Sequence, residues 1–302
     1  MTTVTSKNPP SPVDVRTGLT RREFYREYVN RKPVLMKGAL AHLPAAEKWS
    51  LDYFASVAAD LPVRLKTGRV AEGRTETVSM ADYCKTVAEW EERAAVQDDP
   101  GQPPAYLHDV PLLSLMPELR RDLDGFTGAL LPRFFREQWW VFPQFFVGPS
   151  RAETPLHFDT LLTHNLFFQF HGRKRFLMVS DADRKRCGTY NWRWSAIDPD
   201  APDLKRFPQF AGVPLTEAIV EGGDLFYMPP GTLHKVTSQT ASVSFNIDWH
   251  DHRSALKGLA AVRDGMPAKN LRYNALLALG VWGRVPLRVL MPALKSYFVY
   301  IS

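Results

Sequence analysis

The sequence predicts a mainly β sandwich or barrel with helices packed around it. Three observations carry that expectation. From Tyr106 onward, short segments rich in β-branched and aromatic residues are punctuated by glycine and proline. The 24 prolines are spread along 302 residues, which suits a loop-rich β architecture better than long helices. A hydrophobic share of 45% with 12% aromatics supplies a well-packed core.

The elements follow in chain order. Residues 1–17 are polar and proline-containing and read as a flexible tail. A helix starts near Thr20, with Thr20 as N-cap, Glu23 as the capping-box acid, and Phe24, Tyr28 and Val29 as its buried stripe. It stops before Pro33, and "PVLMKGA" is a short apolar strand. A second capped helix starts after Ser50. "VRLKTG" and "RTETVSMADYCKTVAEWEERA" give a strand, a turn and a third helix. These parts, 18–105, form an N-terminal block that packs on a core of 106–253. Within the core, "WWVFPQFFVGP", "LHFDTLLTHNLFFQFHG", "KRFLMVS", "TEAIVEGGDLFYMPPG" and "HKVTSQTASVSFNIDWH" are strands. A polar insert lies between Asp181 and Pro214, and residues 254–302 turn helical again.

Composition excludes several classes. The opening "MTTVTSKNPPSPVDV" lacks the apolar stretch of a signal peptide. No apolar run approaches the roughly 18 residues of a membrane span. Two cysteines, Cys84 and Cys187, are too few for a disulfide framework or a cysteine zinc site and fit a reducing, cytoplasmic setting. A net charge of +6 is ordinary for solubility. It lacks the concentrated basic stripe with interleaved aromatics of a nucleic-acid binder, so nucleic acid is disfavoured as a partner without being excluded.

One constellation carries chemistry. In "TPLHFD", His157 and Asp159 stand two apart on an expected strand and so share one face. A Gly- and Pro-rich turn in "GDLFYMPPGTLHKV" leads a later strand to His234. Two histidines and one carboxylate make a facial set that holds iron(II) and leaves positions open for oxygen and a bidentate cosubstrate. In "GRKRF", Lys174 alternates with Arg173 and Arg175, so one parity alone turns inward. A closed zinc site would want a fourth ligand that the sequence does not offer.

With "TPLHFD", "NLFFQFHGRKRF", "DLKRFPQF" and "GDLFYMPPGTLHKV" in combination, the chain resembles the JmjC and cupin-like family of iron(II)- and 2-oxoglutarate-dependent oxygenases, and within it the asparaginyl hydroxylase branch acting on hypoxia-inducible factor. The resemblance runs from "FYREYVNRKPVLMKGA" to "SVSFNIDWH" and implies a double-stranded β-helix, or jelly-roll, core. It implies His157, Asp159 and His234 as catalytic iron ligands, with O2 as oxidant. Lys174 and Thr154 match residues that hold the far carboxylate of 2-oxoglutarate, and Asn165 and Asn246 match asparagines lining that pocket. Asp248 stands where the asparaginyl branch has an aromatic residue near its substrate, so that specificity does not carry over.

The expected activity is hydroxylation of a peptide or protein residue, an amino acid or a natural-product intermediate. Hydroxylation of a tRNA base and N-methyl demethylation are the enzymatic alternatives, and a non-catalytic cupin-like binding module is the other class. Tyr190, Trp192 and Trp194, in the insert loop "TYNWRWSAID", are expected substrate contacts beside Asp248. The apolar run "NALLALGVWGRVPLRVLMPALKSYFVY" is expected to form a homodimer interface, with membrane-surface binding second.

Overall fold

A computed structural model describes residues 9–67 and 74–301. The chain opens with two very short strands, β1 (Ser11–Pro12) and β2 (Asp14–Arg16), then α1 (Arg21–Glu27) and β3 (Val34–Met36). Two short helices follow, α2 (Pro44–Lys48) and α3 (Leu51–Val57), then a hairpin of β4 (Pro62–Thr67) and β5 (Arg74–Ser79) and the long helix α4 (Met80–Val96). Next come β6 (Leu107–Val110), α5 (Leu112–Leu115), α6 (Arg133–Arg136) and β7 (Gln144–Gly148). The central strands are β8 (Glu153–His157), β9 (His164–His171) and β10 (Arg173–Val179). The insert holds β11 (Thr189–Tyr190) and β12 (Trp194–Ser195). Then come β13 (Thr216–Glu221), β14 (Leu225–Met228), β15 (Leu233–Ser238) and β16 (Ser242–Trp249). Three helices close the chain: α7 (His252–Ala260), α8 (Ala268–Val281) and α9 (Leu287–Ile301).

Apart from the β4–β5 hairpin, the strands of the described residues form two seven-stranded, mostly antiparallel sheets that make the predicted jelly-roll core. One has the order β1-β13-β10-β15-β8-β12-β11 and the other β2-β3-β14-β9-β16-β7-β6. Even-numbered residues of β10 face the other sheet: Phe176 and Met178 pack with Phe167, Phe226 and Met228 in one apolar cluster. This cluster fills only part of the interior, and the remainder is a cavity.

Both outer faces are covered. Helices α1 to α4 bury the far side of the second sheet in a large aromatic cluster, in which Trp49 packs on Phe170 with ring centroids 4.7 Å apart. The 181–214 insert covers the first sheet: its Cys187, Ile197, Phe210 and Val213 bury against Leu156, Leu177, Val179 and Leu233. The insert is therefore not merely polar; it carries half of a small core.

The helix signals read from sequence correspond to real caps. Thr20 and Glu23 form a reciprocal capping box, and Ser50 caps α3. The expected flexible tail is corrected in part. Residues 1–8 lie outside the described residues, but β1 pairs in parallel with β13 and β2 with β3. Two- and three-residue strands leave no periodic signal, and these form only because an open sheet edge waits for them. The turn expected between β4 and β5 lies outside the described residues.

Candidate metal centre and its cavity

Strand β8 delivers His157 at its last residue, opposite His234 of β15 in the antiparallel register. The chain leaves the strand there, so Asp159 sits in the following loop, whereas the two-residue spacing predicted it on the strand. A turn closed by the Leu162 N–H donating to the Asp159 carbonyl, 2.8 Å, folds the carboxylate back to the same place. One ligand atom from each of His157, Asp159 and His234 lies within 4.8 Å of the others. This His-Asp-His arrangement is compatible with metal binding.

Both imidazoles are oriented for it. Nδ1 of His157 is 2.8 Å from the Pro155 carbonyl, and Nδ1 of His234 is 3.1 Å from the Thr232 carbonyl. With Nδ1–H donating to those carbonyls, each Nε2 keeps its lone pair for the centre. Burial, reinforced by His234 and Arg193, holds the pKa of His157 well below the ordinary range, which favours the neutral ligand form. Asn165 Nδ2 donates to Asp159 Oδ2 at 3.1 Å, while Oδ1 lies 3.9 Å from His234 Nε2.

The three residues open onto a cavity of about 320 Å³ between the sheets. Of the two parities of β10, the one that holds Lys174 lines it, the residue that the resemblance singled out: Lys174 is 1% exposed, while Arg175 turns outward to Glu217 and Asp200. Lys174 Nζ donates to Tyr106 Oη at 2.6 Å and Ser244 Oγ at 3.1 Å, both neutral hydroxyls, and lies 5.4 Å from the ring centroids of Phe146 and Phe167. Burial lowers its pKa from 10.5 to about 7. Thr154 and Asn246 also line the cavity. Asn246 Nδ2 donates to Asp248 Oδ1 at 3.0 Å. Burial, with the negative charges of Asp159 and Asp109 added, raises the Asp248 pKa well above the usual carboxylate range.

Of the aromatic trio in the insert, two reach the cavity. Trp194 pairs across the sheet with His157, ring centroids 5.1 Å apart, and Trp192 is fixed by its Nε1–H donating to the Thr160 carbonyl at 2.8 Å. Tyr190 does not: it is 45% exposed on β11, the outermost strand, one step farther from the centre than Trp194. His164 and His250 are structural. His164 stacks on Trp249 and its Nδ1 is 2.8 Å from Tyr227 Oη, while His250 bridges Ser254 and Asn274.

Sequence reasoning missed Tyr106, Gln144, Ser244 and Asn270. Gln144 is 3% exposed, lines the cavity, and neither amide atom has a hydrogen-bond partner among the described residues. Asn270 reaches the cavity from α8, its Nδ2 donating to Thr160 Oγ1 at 2.8 Å. Only the parity of β16, which puts Ser244 on the face of Asn246, could have flagged one of them.

Comparison with known proteins agrees with this geometry. The family described as a cupin-like domain matches residues 21–255. The chain belongs to the cupin-like domain family. This cupin-like chain is similar to the lysine-specific demethylase JMJ30 of Arabidopsis thaliana, 28% identical over 250 residues that make up 78% of the chain and 54% of that protein. It thus spans about half the length of that relative. It is 26% identical over 255 residues to tRNA wybutosine-synthesizing protein 5 of Homo sapiens, covering 79% of the chain and 78% of the relative. It is 25% identical over 285 residues to the human bifunctional peptidase and (3S)-lysyl hydroxylase JMJD7, covering 82% and 84%. Among the described residues of this cupin-like chain, no helix is long and apolar enough to cross a membrane.

Proposed function

We propose that the chain is an iron(II)- and 2-oxoglutarate-dependent oxygenase that hydroxylates a peptide or protein residue, an amino acid or a natural-product intermediate. The observation that carries this is the pairing, in one cavity, of the His157–Asp159–His234 set with a buried Lys174 whose hydrogen-bond partners among the described residues are two hydroxyls. The donor chemistry fits the metal: two oriented imidazoles and one carboxylate fill one face and leave the rest open, unlike a closed zinc site.

His157, Asp159 and His234 would hold the metal. Lys174, with Thr154, would bind the far carboxylate of 2-oxoglutarate by charge-assisted hydrogen bonds in a water-poor pocket. Tyr106 and Ser244 hold the ammonium in place before that ligand arrives. Asn246 and Asn165 would flank the cosubstrate, and Asn165 also fixes the rotamer of Asp159. Bound iron(II) with 2-oxoglutarate and O2 supplies the oxidising power that puts oxygen into a C–H bond. The protein contributes position and exclusion of bulk water.

Demethylation is the same hydroxylation placed on an N-methyl group, and the demethylase name of the Arabidopsis relative keeps it open. The tRNA name of another relative does the same for a base substrate. A non-catalytic module is disfavoured, because it has no use for a desolvated lysine facing an intact ligand set. For the C-terminal helices we retain the homodimer: Leu279, Trp282 and Val289 are 50%, 42% and 60% exposed there. The side chains of residues 296–302 in that run lie outside the described residues.

The test is anaerobic. Iron(II) and 2-oxoglutarate added to the protein should produce a weak visible charge-transfer band that fades in Lys174→Ala and is absent in Asp159→Ala. Tight iron binding with no band would overturn the assignment.

A further inference from the structure

The inner face of the second sheet is built in rungs. Phe146 of β7 stands in register with Ser244 of β16, and the two flank the Lys174 ammonium. Ser244 Oγ accepts from it at 3.1 Å, and the Phe146 ring centroid lies 5.4 Å away. Side chains two residues farther along a strand share the same face. The next rung is therefore Gln144 opposite Asn246, about 7 Å onward at ~3.3 Å per residue. One rung beyond, Asp248 stands in register with Asn165, whose amide holds Asp159 of the metal set. Gln144 thus occupies the level between the cation and the metal ligands.

On that middle rung the unengaged donor is Gln144. Asn246 has its Nδ2 bound to Asp248 Oδ1 at 3.0 Å, and Phe167, its register partner on β9, is apolar. Gln144 is 3% exposed and lines the cavity, and among the described residues neither Nε2 nor Oε1 has a hydrogen-bond partner. A buried amide without partners is costly, and an arriving ligand relieves it. With neither atom pinned, the side chain is free to turn its N–H toward an acceptor. A 2-oxo dicarboxylate carries acceptors at both ends. With its far carboxylate on Lys174, its oxo-acid half comes to the level of the next rung.

We propose that Gln144 is a second anchor for the cosubstrate: its amide N–H donates to the oxo-acid half of 2-oxoglutarate while Lys174 holds the far carboxylate. This rests on the oxygenase reading above. Two anchors one rung apart hold the acid lengthwise in the cavity, which a single ammonium cannot do.

The test uses the full chain loaded with Mn(II), without oxygen, and titrates two probes by calorimetry. One is 2-oxoglutarate; the other is oxalate, which has the chelating half and lacks the far carboxylate. Gln144→Met keeps the length of the side chain and removes its amide, and Gln144→Leu repeats the loss in a second variant. Both probes should bind about tenfold weaker in these variants, the range of one hydrogen bond to a charged group. Lys174→Ala should weaken 2-oxoglutarate and leave oxalate unchanged. Mn(II) affinity without either acid should match the parent protein, which shows that the metal set is intact. A glutamine that merely packs beside the lysine would lower 2-oxoglutarate affinity alone, so the oxalate arm separates anchoring from packing. Unchanged binding of both probes in both variants overturns the proposal, and so does a loss confined to 2-oxoglutarate. A parent protein that takes Mn(II) and oxalate but not 2-oxoglutarate overturns the oxygenase reading and this proposal with it. A parent that binds 2-oxoglutarate no tighter than Gln144→Met sinks the anchor alone.

Discussion

Asn165 donates its side-chain N–H to Asp159 Oδ2 at 3.1 Å, leaving the other carboxylate oxygen turned toward His234. A residue read from sequence as part of the cosubstrate pocket is thus a prop for the Asp159 carboxylate. Such partners typically tune metal affinity by ~10–100-fold. Asn165→Ala should therefore weaken Mn(II) binding, a redox-inert stand-in, by about that factor in an electron paramagnetic resonance titration. Unchanged affinity would show that the hydrogen bond does not matter to Asp159.

Lys174 sets a pH dependence. Unfolded, it keeps its proton to about 10.5; folded and unliganded, it loses it near about 7. Between those values the unfolded chain binds more protons, so stability of the unliganded protein rises with pH through that window. The contribution is lost as pH falls toward 7. Denaturant titrations from pH 6 to 10 should display the rise in wild type and its absence in Lys174→Met.

Ligand binding should run the other way. A dicarboxylate prefers the charged lysine, so above pH 7 binding takes up a proton and 2-oxoglutarate affinity falls by up to about tenfold per pH unit. Calorimetry in two buffers of different ionisation enthalpy reads the proton directly. Proton uptake near zero at pH 8 would mean that the lysine is already charged.

Gly148 lies against Tyr106, and a Cβ there would run into the ring. Gly148→Ala should displace Tyr106, cost about 1–3 kcal/mol by overpacking, and weaken 2-oxoglutarate binding through loss of the Lys174 prop. The same stability loss with intact 2-oxoglutarate affinity would separate Tyr106 from the ligand's end of the cavity.

For the C-terminal helices, replacing Leu279 and Trp282 together by Asp should shift sedimentation from dimer to monomer without lowering iron binding. A wild-type monomer at micromolar concentration would remove the interface.

Much of the centre was legible because it sits where local rules are strong. The alternation of β10 separated Lys174 from its arginine neighbours, the resemblance chose between the two parities, and a Gly-Pro turn announced His234. Asp159 was placed correctly for the wrong reason, since the strand ends at His157 and a turn does the work. Tyr106, Ser244 and Asn270 come from β6's approach, β16 and α8, far apart in sequence, and only tertiary packing joins them. Tyr190 was proposed only because its loop could cap the pocket, and loop composition cannot say that β11, which carries it, is the outermost strand of the sheet. The edge strands were too short to leave any period at all.

Those edge strands also set an order of events during synthesis. Ser11 and Pro12 leave the ribosome early, yet they pair with Thr216 and Glu217, made late in translation. The first sheet keeps an unsealed border until then, and a nascent chain halted before β13 would present that border to its neighbours on a polysome. Chaperone dependence, more than thermal stability, is where damage to residues 11–16 should first be felt.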